Sequence, residues 1–370
     1  MRHPAESGAP VVVKVGSSSL TGASGRIDED KVDAIVRQMV DLAGQGHAPI
    51  LVSSGAIAAG FASLGFSGRP TGISDLQVCA AVGQMSLMAS YGEAFQRRGI
   101  QVGQVLLTKD VLGSRTQYLN ARSALSGMLS HGVVPIVNEN DTVAVDEVRL
   151  GDNDQLAAMT AHLVSAGMLV ILTDTEGLYS DDPRVSDSAE LLAAVEHSDT
   201  ILDRLEATTT RGAVGSGGVG TKIVAARMAA FSGIPTVIAA SSAPDGVRRA
   251  VGGDAIGTWI APRTRALSAR KLWIAFGVAT AGVLTIDEGA VRALSQDGRS
   301  LLAVGVTSVS GSFDRERAVE VADHDGNTLG KGLVRLSSKE LVEAIGSHSS
   351  AIGGEVIHRD DLVVFSANPR

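Results

Sequence analysis

Cysteine is almost absent from this chain: Cys79 is the only one in 370 residues. A single thiol excludes a disulfide framework and a cysteine-based zinc site. Aromatic residues make up only 3%, and of 32 basic residues just seven are lysine, at positions 14, 31, 109, 222, 271, 331 and 339. No apolar run reaches the ~18 residues of a membrane span. The opening MRHPAESGAP has no apolar stretch of the kind a secretory signal carries, so a cytoplasmic protein is expected. The eight histidines are scattered, no pair has metal-ligand spacing, and neither a Ser/His/Asp arrangement nor a Gly-x-Ser-x-Gly elbow occurs. The net charge of −8 argues against a general nucleic-acid binder.

What remains is 44% apolar, 19% charged and rich in glycine (43 residues), which excludes disorder and suits an α/β protein with many tight turns. Short Val/Ile/Leu runs alternate with helical patterns through about residue 260. The strands expected are Val11 to Val15, Pro49 to Val52, Val102 to Leu107, Val133 to Val137, Met168 to Leu172 and Pro235 to Ala239. Helices are expected over Ile27 to Ala43, Leu76 to Phe95, Tyr118 to Ser130, Asp154 to Ser165 and Thr221 to Ser232. Ser74 and Gln77 read as a capping box before the second of these, whose apolar stripe of Leu76, Cys79, Ala80, Gly83 and Leu87 puts Cys79 in the core. His131 and His162 fall in helices and read as structural. The alternation predicts a mainly parallel sheet between helices over residues 1–262. A basic stretch with Arg263, Arg265, Arg270 and Lys271 marks a linker over 263–277, and short strand-like pieces make residues 278–370 a small, mostly β domain.

Ligands of open α/β sheets bind beyond the carboxyl ends of the strands, and those ends are polar here. The first strand runs into Gly16 and Ser17 to Ser19, and the second into Ser53, Ser54 and Gly55. The fourth runs into Asn138, Glu139, Asn140 and Asp141, the fifth into Thr173 and Asp174, and Gly151 to Asp154 open a helix between them. Each cluster alone is ordinary turn chemistry; five on one edge make a site. Lys14 interrupts an apolar strand, where an unpaired charge is costly, so a phosphate ligand explains it better than a snorkelling edge lysine does. The segment Gly212 to Lys222 contains a literal G-x-G-x-x-G, but it lies deep in the chain without a strand before it, and its Gly-Thr-Lys order is not a Walker A. Glycines that free backbone amides at a helix start, with Lys222 beside them, still suit phosphate oxygens.

Taken in order, VVVKVGSSSL, LVSSGAIAAG, AAVGQ, LNAR, VPIVNENDTV, GDND, LTDTEGLYSDDPR and GSGGVGTK resemble the amino acid kinase family, and within it the kinases that act on glutamate. The match covers nearly all of residues 11–260; NEND and GDND with SSGAIAAG are far more specific than any single glycine motif. Residues from about Val278 to His358 resemble a PUA domain, a fold also found in RNA-modifying enzymes. The resemblance implies an amino acid kinase fold with a PUA-like tail, and ATP-dependent phosphorylation of the L-glutamate γ-carboxylate at the start of proline biosynthesis. It also implies Mg²⁺ carried by ATP with no metal ligand assigned to the protein, proline as feedback inhibitor, a homotetramer, hand-over to the next reductase, and no membrane partner. Lys14 and Lys222 match the phosphate-binding lysines, with Asp154 the acid that organises them. Ser54, Asp141 and Asn153 match the glutamate site. Thr173 and Asp174 match the nucleotide site, with Ser216, Gly217, Gly218, Val219, Gly220, Thr221 and Lys222 as the loop over ATP.

The chemistry agrees with the residues. A carboxylate nucleophile is ionised at pH 7, so no general base is required. The barrier is electrostatic, and lysines, Mg²⁺ and glycine amides answer it. Ser54 and Asn153 are neutral groups suited to a substrate carboxylate, and Asp141 suits an ammonium. The rival readings are a kinase for aspartate, N-acetylglutamate or carbamate, an RNA-binding role for the tail, and a purely architectural tail. Nine basic against 13 acidic residues from Phe276 onward disfavour RNA.

Overall fold

The computed structural model describes residues 2–22, 26–61, 63–143, 153–209, 218–345 and 355–365, without the side chains of 207–209. The chain divides into two compact units, Met1–Ala266 and Leu267–Arg370.

The first unit is built on β1 (Pro10–Val15), β2 (Ala48–Ser53), β3 (Val102–Leu107), β4 (Val134–Glu139), β5 (Met168–Thr173), β6 (Ala194–Glu196), β7 (Thr236–Ala240) and β8 (Thr258–Ala261). They form one sheet in the order β3-β4-β2-β1-β5-β7-β8-β6, parallel throughout except for the β7–β8 pair. β1 is central, with Val12 beside Ile50 of β2 and Leu169 of β5. Val11, Val12, Val13 and Val15 are all fully buried. That is why β1 reads as an unbroken apolar run: helices cover both faces of the sheet. Because β2 lies on one side of β1 and β5 on the other, a crevice opens where the chain order reverses.

The helices are α1 (Glu29–Gly44), α2 (Ala56–Phe61), α3 (Ile73–Gln96), α4 (Arg115–Ser130), α5 (Asp154–Val164), α6 (Thr200–Thr209), α7 (Val219–Phe231) and α8 (Gly246–Val251). α1 starts where Asp28 accepts from the backbone N–H of Asp30, and it buries Val32, Ile35, Val36, Met39 and Leu42 at helical spacing. The expected elements are present with ends moved by at most three residues. The capping box at Ser74 and Gln77 is not formed. α3 starts at Ile73 behind an extended Gly72 that has no side-chain cap, so Ser74 lies inside the first turn. Its buried stripe of Leu76, Cys79, Ala80, Gly83 and Leu87 is the expected one. His162 lies in α5 as expected, whereas His131 is the residue that closes α4.

α2 and α3 touch backbone to backbone. A Cβ on Gly60 would stand 1.9 Å from the Cys79 carbonyl oxygen, and one on Gly83 would stand 1.9 Å from that of Ala56. Neither neighbour is a side chain that could turn away.

The second unit has β9 (Gly282–Ile286), β10 (Val306–Gly311), β11 (Ala318–Ala322), β12 (Thr328–Leu333) and β13 (Leu362–Val364) in the order β10-β9-β11-β12-β13. Only β9 and β11 run parallel. Its core joins Leu284, Ile286, Val319, Val321, Val334 and Leu341. The stretch read as a linker is structured. It holds α9 (Ala269–Leu272) and a π turn, Trp273–Gly277, with Leu272, Ile274 and Ala275 buried. Lys331 is buried too and donates to the carbonyls of Ala275 (3.4 Å) and Val278, which fastens the turn to β12. Of the basic residues that suggested a linker, Arg265 and Arg270 are exposed, whereas Arg263 is buried over the Phe231 ring.

The two glycines of α3 separate packing from propensity. Gly83→Ala is expected to lower Tm by at least ~5 °C or to prevent soluble folding, because a methyl forced into a close-packed contact costs several kcal/mol. Gly92→Ala meets nothing within 4 Å and is expected to hold or raise Tm by about a degree or two through lower chain entropy. Thermal melts of the two variants side by side test this.

Candidate active site

Strand β1 delivers Lys14 to the crevice. Its Nζ lies 2.6 Å from Oδ1 of Asp154, the first residue of α5, and both side chains are almost wholly buried. Lys222, in the first turn of α7, brings its Nζ to 3.3 Å from Oδ2 of the same carboxylate. The Thr221 hydroxyl lies 3.1 Å from that oxygen and 2.8 Å from the Gly218 carbonyl. One carboxylate thus meets two ammonium groups, one at each oxygen. Burying charge is costly unless it is paired and hydrogen-bonded, and Asp154 pairs with both lysines. The α7 start lies beside Lys222: Gly218 precedes the helix in an extended conformation without a side-chain cap, and the first-turn N–H groups of a helix suit an anion.

On the other side of β1 lies a pocket whose lining includes Ser17, Ser54, Arg69, Asn138, Asp141 and Asn153. Ser54 follows β2, and its N–H bonds to the Val15 carbonyl at 3.1 Å, which joins the two strand ends. Gly55 then turns with φ +108°, a conformation only glycine takes easily, and α2 begins. Ser54 Oγ is buried with no hydrogen-bond partner. An orphaned buried hydroxyl facing a pocket points to a ligand. Behind it, the buried Tyr91 hydroxyl of α3 lies 2.9 Å from Ser53 Oγ, which donates to the Ser54 carbonyl at 2.9 Å. Asp141 sits in the turn after β4, where the Val143 N–H bonds to the Asn140 carbonyl at 3.1 Å.

Asn153 differs from what its sequence position suggested. Its amide nitrogen donates to the Ser53 carbonyl at 2.8 Å and to Asn138 Oδ1 at 2.6 Å. Both hydrogens are spent inward, so the side chain offers an accepting oxygen to a ligand and cannot donate to a carboxylate. Thr173 is buried at the end of β5, and its hydroxyl bonds to the exposed Asp174 carboxylate at 3.0 Å. Those two residues stand one strand over from Lys14, which pairs in register with Ile171. Of the glycine loop, Gly218 to Lys222 are in place at the α7 start, whereas Ser216 and Gly217 lie outside the described residues, as do Gly151 and Asp152.

Residues 9–240 match the amino acid kinase family. The chain belongs to that family. Residues 282–354 match the PUA domain. The chain is 44% identical to a glutamate 5-kinase of Marinomonas sp. (strain MWYL1), over 99% of this chain and 100% of that protein. The glutamate 5-kinase of Ectopseudomonas mendocina is also 44% identical, over 95% and 97%. That of Syntrophotalea carbinolica is 41% identical, over 96% of each.

The pocket of this amino acid kinase is also lined by residues that the sequence did not single out. Arg69, in the Gly-Arg-Pro segment before α3, brings a cation to the lining; nothing local distinguishes it from a solvated loop arginine. Asn138 belonged to a polar cluster but carried no assigned role. Among the described residues, no group of three His, Cys, Asp or Glu side chains could hold a metal ion.

Burial lifts the Asp141 carboxyl to about 6, against the pull of the Arg69 charge. An unfolded aspartate titrates near 3.9, so between about pH 4 and 6 the folded chain holds this proton more tightly than the unfolded one. Stability therefore falls as pH rises through that window, and above it the cost of the buried charge is fully present. Asp141→Asn is expected to raise Tm by ~1–3 °C at pH 7.5, with the gain vanishing toward pH 4. Melting curves across pH check it; a lower Tm at pH 7.5 would instead make Asp141 a structural cap.

Proposed function

We propose that the chain transfers the γ-phosphoryl group of ATP to the γ-carboxylate of L-glutamate, yielding ADP and L-glutamyl 5-phosphate at the first step of proline biosynthesis. The observation that carries this reading is the pairing of Lys14 and Lys222 on one buried Asp154 beside a pocket of amino-acid chemistry. The full-length likeness to glutamate 5-kinases supports the choice of substrate.

The mechanism follows from charge. Glutamate arrives ionised, so the chain need not remove a proton from it. Its γ-carboxylate must approach a polyanion, and Lys14 and Lys222 lie where phosphoryl oxygens gather negative charge. Asp154 holds both ammonium groups in place before substrate arrives, so little reorganisation is left for the transition state. At the far end of glutamate, the Asp141 carboxylate and Asn153 Oδ1 accept from the α-ammonium, while Ser54 Oγ and Arg69 suit the α-carboxylate. A pocket that asks for a free ammonium disfavours N-acetylglutamate and carbamate. The ATP phosphates take the α7 start from Gly218 to Lys222, with Ser216 and Gly217 before it and Thr173 and Asp174 beside the nucleotide. Mg²⁺, bound through phosphate oxygens and water, would add charge neutralisation. The two oxygens of Asp154, each beside an ammonium, suit the organising of lysines better than metal ligation.

The same reading brings feedback inhibition by proline, a homotetramer, hand-over of the product to the next reductase and a cytoplasmic location, where ATP and glutamate are supplied. No helix among the described residues is long and apolar enough to cross a membrane.

Lys14→Ala and Lys222→Ala are each expected to lower kcat at least ~100-fold, as loss of one transition-state stabiliser does, with the fold retained. Asp141→Asn should raise the glutamate KM at least ~30-fold and leave the ATP KM within about twofold. The measurement is ATP consumption with glutamate, aspartate, N-acetylglutamate and carbamate as acceptors, with and without proline. Preference for another acceptor would overturn the substrate, and near-normal turnover in either lysine variant would remove that lysine from the mechanism.

A further inference from the structure

Gln84 lies half-buried in the middle of α3, next to Gly83, and has no part in the mechanism above. Its amide nevertheless belongs to a row that ends in the substrate pocket. Gln84 Nε2 donates to Gln104 Oε1 on β3 at 3.0 Å. Asn138 Nδ2 donates to Gln84 Oε1 at 2.8 Å. Asn138 Oδ1 accepts from the Glu139 backbone N–H at 2.8 Å and from Asn153 Nδ2 at 2.6 Å. Asn153 Nδ2 also donates to the Ser53 carbonyl at 2.8 Å.

Four side-chain amides thus point the same way: Asn153 gives with its nitrogen, Asn138 and Gln84 each give with nitrogen and take with oxygen, and Gln104 takes with its oxygen. An amide can turn over and exchange its two ends, so a row of them needs something fixed to choose its sense. Two backbone groups do so at the inner end: the Ser53 carbonyl only accepts, and the Glu139 N–H only donates. The chosen sense leaves Asn153 Oδ1 as an acceptor beside Asp141. Gln84 supplies the one carbonyl that holds the Asn138 nitrogen on the side away from Asn153.

We infer that Gln84 is a positioning residue for the substrate pocket: through Asn138 it keeps the accepting oxygen of Asn153 turned toward the ammonium of the substrate. The inference rests on the glutamate reading above. Asn138 is 3% exposed, so without the Gln84 carbonyl its nitrogen has no water to turn to. It regains a partner by swinging toward the pocket, which breaks its bonds from Asn153 and the Glu139 N–H and leaves the Asn153 amide held by the Ser53 carbonyl alone. Gln104, by contrast, is exposed on the edge strand, where water replaces it. The row therefore matters more the nearer a member lies to the pocket.

The test compares Gln84→Leu, Gln84→Glu and Gln104→Ala in the full chain by steady-state kinetics, with glutamate and ATP varied separately, alongside melting curves. Gln84→Leu is expected to raise the glutamate KM about tenfold, the size of one lost buried hydrogen bond, with kcat and the ATP KM within about twofold. Gln84→Glu keeps an accepting oxygen toward Asn138, and Gln104 can turn its nitrogen to the other oxygen, so the glutamate KM is expected within about threefold of the parent. Gln104→Ala is expected to match the parent. If Gln84→Leu does not fold, Gln84→Met takes its place, with similar volume and no amide. An unchanged glutamate KM in the apolar variant overturns the inference. So does an equal rise in Gln84→Glu, which would mean that amide shape rather than the accepting oxygen matters. A parent chain that does not phosphorylate glutamate overturns the functional reading instead, and the inference with it.

Discussion

One buried carboxylate between two ammonium groups sets the terms for the first unit. Asp154 sits away from solvent against Lys14, Lys222 and the Thr221 hydroxyl, and both lysines are buried with it. Removing one lysine of such a set still leaves the buried carboxylate paired with the other. The three residues come from β1, α5 and α7, far apart in sequence, so the sheet must place β5 beside β1 and both helix starts must converge on the end of the central strand. The run of fully buried valines in β1 makes that strand rigid enough to hold a lysine at its end.

The other half of the site depends on α3, which touches the pocket from behind. Gly83 lets α2 close against it, and α2 follows directly from the Ser54–Gly55 turn. Tyr91 steadies the turn through Ser53, and Gln84 steadies Asn138. A single long helix therefore sets the position of three pocket walls. In the proposed reading the division of labour falls on either side of β1: phosphate chemistry toward β5 and α7, recognition of the amino acid toward β2, β4 and α3.

Much of this was legible in the sequence where the signal is local. An apolar strand broken by Lys14, and Ser, Asn and Asp at one strand end after another, report a ligand edge because charge and turn residues in those places need a reason. The helices were legible from apolar spacing, as in α1 and α3. What escaped depends on partners remote in the chain. Ser74 and Gln77 have the composition of a capping box, yet Gly72 starts the helix earlier. Residues 263–277 look like a linker because their arginines are conspicuous, whereas Leu272, Ile274 and Ala275 bury themselves in a unit whose other walls come later. Arg69 and Gln84 carry no local mark, and the direction of the Asn153 amide is decided by a carbonyl 100 residues away. Donor and acceptor roles of an amide are a property of its neighbours, not of its letter.

The close approach of α2 and α3 gives the single cysteine an experimental use. Cys79 is fully buried, on the stretch of α3 against which Gly60 is packed. A thiol reagent reaches it only when that packing opens. The rate at which a chromogenic disulfide titrates the folded protein therefore clocks the detachment of α2, the element that carries one wall of the pocket, without any engineered probe. Ligand that slows the titration closes this wall on binding, and the same nearly thiol-free background lets a surface cysteine be labelled alone.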